Sequence, residues 1–168
     1  MIDARIFNEL INRGIITHVG LNPNSFTSLE DLQKRGIITS TNAQNEYYDV
    51  INDLAEIREI RDKFIADVVK GGTVKLPIDI LLDDYIEIRN NVTIDLNGHH
   101  IIHPISSSSK YKDVFEVLGT GHLTIIGTGK VIAEDGYSIY AAGDSIVEIN
   151  GGEYISSVTC IDARKTLK

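Results

Sequence analysis

Three stretches of this chain repeat one pattern. They are Phe115-Glu-Val-Leu-Gly-Thr-Gly-His-Leu-Thr-Ile125, Ile139-Tyr-Ala-Ala-Gly-Asp-Ser-Ile-Val-Glu-Ile149 and Cys160-Ile-Asp-Ala-Arg-Lys-Thr-Leu167. Phe115, Val117, Gly119, Leu123 and Ile125 map onto Ile139, Ala141, Gly143, Val147 and Ile149 with a shift of 24. Setting Ile139 and Ile146 against Cys160 and Leu167 gives a shift of 21. Alternating apolar residues with glycine corners at such a period predict parallel strands stacked turn on turn, a parallel β-helix. Residues 71–168 are expected to form four or five turns. The last copy stops part way through its strand at Lys165-Thr-Leu-Lys168, which predicts an end capped by another subunit or a chain that continues.

A second, separate repeat occupies residues 1–43. Leu10-Ile-Asn-Arg-Gly-Ile-Ile-Thr17 returns as Leu32-Gln-Lys-Arg-Gly-Ile-Ile-Thr39, displaced by 22. Each copy follows a helical pattern: Ile2, Ile6, Phe7, Leu10 and Ile11 before the first, and Leu29 and Leu32 before the second. Thr27 with Glu30 predicts a capping box. Gly14 and Gly36 stand where a helix ends in a left-handed turn. Each Ile-Ile-Thr then reads as a short extended segment. Arg13, Gly14, Ile15, Ile16 and Thr17, with Arg35, Gly36, Ile37, Ile38 and Thr39, are the candidate docking elements for a partner, through addition of an extended segment to a sheet edge.

Between the two repeats, residues 44–70 predict one long helix. Tyr47, Val50, Leu54, Ile57, Arg61, Phe64 and Val68 alternate steps of three and four, a heptad seam with Arg61 as its polar member. Such a seam must be covered, either by the β-structure or by copies of itself. It is the candidate interface of a homotrimer or homodimer.

The chain has 168 residues and a formal net charge of −8, which disfavours a sequence-independent nucleic-acid binder. No apolar run reaches the length of a membrane span, and Met1-Ile-Asp-Ala-Arg lacks the layout of a signal peptide, so assembly in a cytoplasm is expected. The single cysteine, Cys160, excludes an internal disulfide and reads as a small core residue.

Chemistry is sparse. Asp79, Asp83, Asp84, Asp95, Glu134, Asp135 and Asp144 are the carboxylates a glycan-cleaving site would need, but most sit beside turn residues, where Asp favours the turn itself. His99 and His103 would share a strand face with His100 turned away, and loop residues are the expectation over a metal site. Gly127-Thr-Gly-Lys130 is followed by Val131 rather than the Ser or Thr of a phosphate loop. No catalytic residue, metal or cofactor is expected.

Gly71-Gly-Thr-Val-Lys-Leu-Pro77 and Val92-Thr-Ile-Asp-Leu-Asn-Gly-His-His-Ile101 resemble the opening turns of pectate-lyase-like right-handed β-helix proteins, and Leu123-Thr-Ile and Val147-Glu-Ile-Asn-Gly-Gly are similar to later ones. The resemblance spans 71–168 and implies a mainly β fold preceded by helices. That superfamily holds polysaccharide lyases, glycosidases, phage tailspikes and phage fibres. The order of anchor (1–43), heptad helix (44–70) and β-helix (71–168) resembles phage head fibres and tailspikes. It implies a structural virion subunit, a head fibre or capsid decoration protein. Such a subunit would attach to a capsid protein or other virion component by its N-terminal zone and project for adhesion, with a host surface glycan as a further partner. The alternative is a tailspike or glycan-binding protein with depolymerase activity.

Overall fold

Two identical pentapeptides end two helices in the same way. In a computed structural model, which describes residues 2–18 and 20–164, α1 (Ala4–Asn12) ends at Arg13 and α2 (Leu29–Lys34) at Arg35. Gly14 and Gly36 follow at φ 72° and 71°, where a Cβ would be strained. The chain then reverses. The Ile15 and Ile37 amides donate to the carbonyls of Leu10 and Leu32, both at 2.9 Å. The next residues, Ile16 and Ile38, are 1% and 2% exposed. Each arginine pairs back onto its own helix at 2.8 Å, Arg13 to Glu9 and Arg35 to Asp31. The Ile-Ile-Thr segments form no strand. The capping box sits one residue later than predicted: Ser28 accepts from the Asp31 amide, and Asp31 accepts from that of Thr27.

The chain divides into two compact units, Met1–Arg58 and Glu59–Lys168. The first contains α1, α2, a short 3-10 turn (Pro23–Ser25) and α3 (Ala43–Asp53). Phe7 stacks on Phe26 at 5.7 Å, Arg35 lies 5.3 Å over the Phe26 ring, and Arg13 reaches Asp53 at 2.9 Å. This unit has a core of its own, with Ile6, Phe7, Leu10, Phe26 and Leu32 among its buried residues.

The continuous heptad helix is corrected by the structure. Leu54, with ψ 110°, separates α3 from α4 (Ala55–Lys70). Asn52 and Asp53 are weak helix formers, and Asp53 is drawn to Arg13, so the helix stops where the heptad spacing would carry it on. Tyr47, Val50, Ile57, Phe64 and Val68 are all buried within the chain, while Leu54 and Arg61 are half-buried.

In the second unit the strands are β1 (Gly72–Lys75), β2 (Ile80–Leu81), β3 (Ile86–Ile88), β4 (Asn91–Asp95), β5 (His100–His103), β6 (Phe115–Val117), β7 (His122–Ala133), β8 (Ile139–Ala142), β9 (Ile146–Ser156) and β10 (Ile161–Arg164). The mainly β reading, a right-handed β-helix solenoid behind a long helix, is also corrected. The molecule is α/β, with parallel strands in curled sheets and short helices. In one sheet β7 joins two arms, β1-β4 on its first half and β2-β5 on its last, and β9 runs along both. The sheet curls at Gly127 and Gly129, where φ is 81° and 141° and the register shifts. A Cβ at Gly129 would strike the His99 carbonyl. The second sheet has the order β10-β8-β6-β3. Paired strands are offset unevenly rather than by one coil period: Gly72 lies opposite Val92, Asn91 opposite His122, and His122 opposite Ile146.

Pairing stacks the inward side chains into columns. Ile86, Phe115, Ile139 and Ile161 form one, and Ile94, Ile125 and Ile149 another. The inner members Ile139 and Ile125 are 0% exposed, whereas the last members Ile161 and Ile149 are 40% and 39% exposed. At the other end, α4 latches onto the first strands. Arg61 donates to the Leu81 carbonyl at 3.3 Å and pairs with Asp83 at 2.7 Å, and Asn90 donates to the Val69 carbonyl at 3.1 Å. The partial strand expected at 165–168, with Leu167 matched to Ile146, lies outside the described residues.

Candidate functional site: a tyrosine and carboxylate face

The second sheet turns one face inward and the other to solvent. Ile86, Ile88, Phe115, Val117, Ile139 and Ala141 are buried, so the residues between them point outward. Parallel register aligns Glu87, Glu116, Tyr140 and Asp162 in one outward row. Tyr137 stacks on Tyr140 at 6.1 Å. Arg164 lies 5.7 Å from the Tyr140 ring and pairs with Asp162 at 2.8 Å. Tyr85 meets Tyr111 edge-on at 6.4 Å. Tyr111 belongs to the 104–112 loop, which is tied to the same face by the Ser109 hydroxyl donating to Asp84 at 2.7 Å.

This face is electrostatically tense. Glu116 is held above the ordinary glutamate range, first by burial and then by the charges of Asp113, Glu87 and Asp84. Burial likewise raises Asp113, against the Tyr137 amide that donates to its carboxylate at 2.8 Å. Glu116 in turn raises the Tyr85 phenol, with burial adding to it. Glu87 is paired with Arg89, whose guanidinium it holds in the charged form. Tyr111 is exposed, and Tyr85, Tyr137 and Tyr140 are half-buried. Such rings beside carboxylates suit a saccharide, since C–H groups of a sugar ring pack on tyrosine faces and hydroxyls donate to the acids. The excess of acids repels an anionic sugar.

The carboxylates singled out from sequence are not brought together. Asp79 accepts from the His100 amide, Asp83 pairs with Arg61, and Asp84 accepts from Ser109 and the Tyr85 amide. Asp95 accepts from the Asn97 amide and Glu134 from that of Ile105. Asp135 is exposed. Asp144 lines a cavity of about 320 Å³ at the open end of the sheets, with Ile146 and Arg164. His99 lies 3.3 Å from Asp79, His100 is half-buried, and His103 is fully buried. Among the described residues no three side chains are grouped to hold a metal ion. Gly127-Thr-Gly-Lys130 is the corner of β7. The Cys160 thiol is half-buried and donates to the Tyr154 carbonyl at 3.3 Å.

Of the candidate docking residues, Arg13, Gly14, Thr17, Arg35, Gly36 and Thr39 are exposed, Ile15 and Ile37 are half-buried, and Ile16 and Ile38 are core. Sequence reasoning missed Glu87, Glu116 and the tyrosines. Glu87, Glu116 and Tyr140 occupy the outward phase of strands whose inward phase the apolar alternation marks, whereas Tyr85, Tyr111 and Tyr137 lie outside the strands. Among the described residues no helix is long and apolar enough to cross a membrane. No protein-family model, curated protein or solved structure matches this chain.

Proposed function

We propose that this chain is a structural, adhesive subunit, a virion appendage protein of the head-fibre or capsid-decoration kind, that holds a neutral saccharide on its tyrosine and carboxylate face. The observation that supports this reading is the outward row Glu87, Glu116, Tyr140 and Asp162, flanked by Tyr85, Tyr111 and Tyr137. Such a row offers stacking and hydrogen-bond acceptors along several strands, which suits an extended chain of sugars better than one small molecule. The engaged state of Asp79, Asp83, Asp84, Asp95 and Glu134 supports adhesion over cleavage. Attachment through residues 1–43 belongs to the same proposal, with Thr17, Arg35 and Thr39 as its exposed contacts.

Titration of neutral and anionic oligosaccharides into the protein, followed by NMR shift changes, tests the reading. Neutral sugars are expected to shift signals of the second sheet. Tyr140→Ala is expected to weaken binding roughly tenfold or more, the scale of one lost aromatic contact. No new reducing ends are expected with time. Binding indifferent to Tyr140→Ala, or no binding by any sugar, overturns the adhesive part. A gene neighbourhood without capsid, portal and tail genes overturns the virion part.

A further inference from the structure

Ser107 of the 104–112 loop and the histidine that precedes that loop stand in a defined hydrogen-bonding order. His103, at the end of β5, is fully buried. Its Nδ1 lies 2.6 Å from the Asp113 carbonyl oxygen and its Nε2 lies 2.8 Å from Ser107 Oγ. A carbonyl oxygen can only accept, so Nδ1 must carry the hydrogen. In the neutral ring Nε2 is then the bare acceptor, and the Ser107 hydroxyl must donate to it. That polarity is the one a histidine needs to take a proton from a serine nucleophile. The partners around the pair fix it in place. Ser107 N–H donates to the Pro104 carbonyl at 3.1 Å, the Ile105 amide donates to Glu134 at 3.0 Å, and Lys112 Nζ donates to the Ile105 carbonyl. Ser107 is half-buried, so it meets solvent while its partner does not.

We propose that Ser107 and His103 form a nucleophile and general-base pair that reacts with small carboxylic esters. Ser107 Oγ bonds to the ester carbonyl carbon as its proton passes to His103 Nε2. The alcohol leaves with that proton, and Ser107 is left acylated. Water then attacks the acyl carbon, gives a proton to Nε2, and releases the carboxylic acid as Ser107 recovers its hydrogen. Asp113 holds the imidazole through its carbonyl and acts as a positioning residue. Half-burial restricts the acyl group to a small one such as acetyl. The pair stands apart from the saccharide reading, since neither residue belongs to the tyrosine row.

Incubation of the full chain with p-nitrophenyl acetate, read by nitrophenolate release and by peptide mapping, tests the proposal. An acetyl group on Ser107 is expected, with both signals lost in Ser107→Ala at unchanged circular dichroism. His103→Asn keeps a side-chain N–H near the Nδ1 position, and so the tie to Asp113, but removes the base. It is expected to acylate about a hundredfold more slowly or less. Acetylation confined to Lys110, Lys112 or other amines, or release unchanged in Ser107→Ala, overturns the proposal even if His103→Asn fails to fold. A pair that only anchors the loop would change thermal stability on substitution without any adduct at Ser107.

Discussion

The two units each contain a repeat, and the repeats end differently. In residues 1–58 each copy folds back on its own helix: Ile16 and Ile38 occupy equivalent places and both are buried. In residues 59–168 the copies stack, and the last member of a stack has no layer beyond it among the described residues. Ile139 and Ile161 are neighbours in one column, yet only the first is covered. A helix that ends in a left-handed glycine turns its next isoleucine back onto itself, so each copy carries its own closure. A parallel strand cannot close its own column. It needs the next strand, so its repeat divides into inner and outer members of very unequal weight.

The largest expected effect sharpens that inequality. Phe115→Ala removes a fully buried ring from the middle of a column and is expected to cost about 3–5 kcal/mol. Ile161→Ala, at the open end of the same column, is expected to cost under about 1 kcal/mol, in proportion to the area it already shows to water. Urea denaturation of both variants, following the second unit, checks this. Equal losses would mean that the open end is covered in solution.

A smaller effect tests the closed repeat. Gly14→Ala and Gly36→Ala both place a side chain at positive φ, and an added Cβ meets nothing within 4 Å at either site. The cost is then conformational alone, about 1 kcal/mol, and the same for both copies. Thermal melts that separate the two substitutions by more than that cost itself would break the equivalence of the copies.

Much of this inequality could be read in the residues, and part could not. The shift of 24 from Phe115 to Ile139 is the strand register itself. The shift of 21 was one short, because Ile161 and not Cys160 lies beside Ile139, while Cys160 contributes its carbonyl to the Ile139 amide. Apolar alternation marks which residues face inward but is silent on where a stack stops or curls. The curl depends on positive-φ backbone at Gly127 and Gly129, where a Cβ would strike the Asp95 carboxylate at the first and the His99 carbonyl at the second, approaches that no local pattern records. The heptad spacing through Leu54 was real as a pattern of burial and misleading as a helix, since a seam can be buried on two helices as well as one. The Ser107 and His103 pair was hidden because the hydroxyl and the ring are joined by a loop, whose path no periodicity records.

The smallest effect is a difference in sign between the units. In the first, Asp3, Glu9 and Asp31 are held below the ordinary carboxylate range. For Asp3 burial works the other way and is outweighed by the Arg5 hydrogen bonds. For Glu9 the cause is Arg13, and for Asp31 first the Thr27 amide. A carboxylate lowered on folding contributes stability above its unfolded value, near 4, and that contribution is lost as pH falls through the folded value. In the second unit Asp113 and Glu116 are raised, burial leading in both. Their contribution is full below the unfolded value and is lost as pH rises through the folded one. Hydrogen exchange measured between pH 3 and 7, after correction for intrinsic rates, is therefore expected to show opposite slopes from these groups. Glu116→Gln should flatten the decline with rising pH in the second unit and leave the first unchanged. Asp31→Asn should flatten the rise in the first and leave the second unchanged. A Glu116→Gln variant whose second unit still loses the same stability between those limits would show that the crowding of Asp113, Glu87 and Asp84 around Glu116 is relieved in solution.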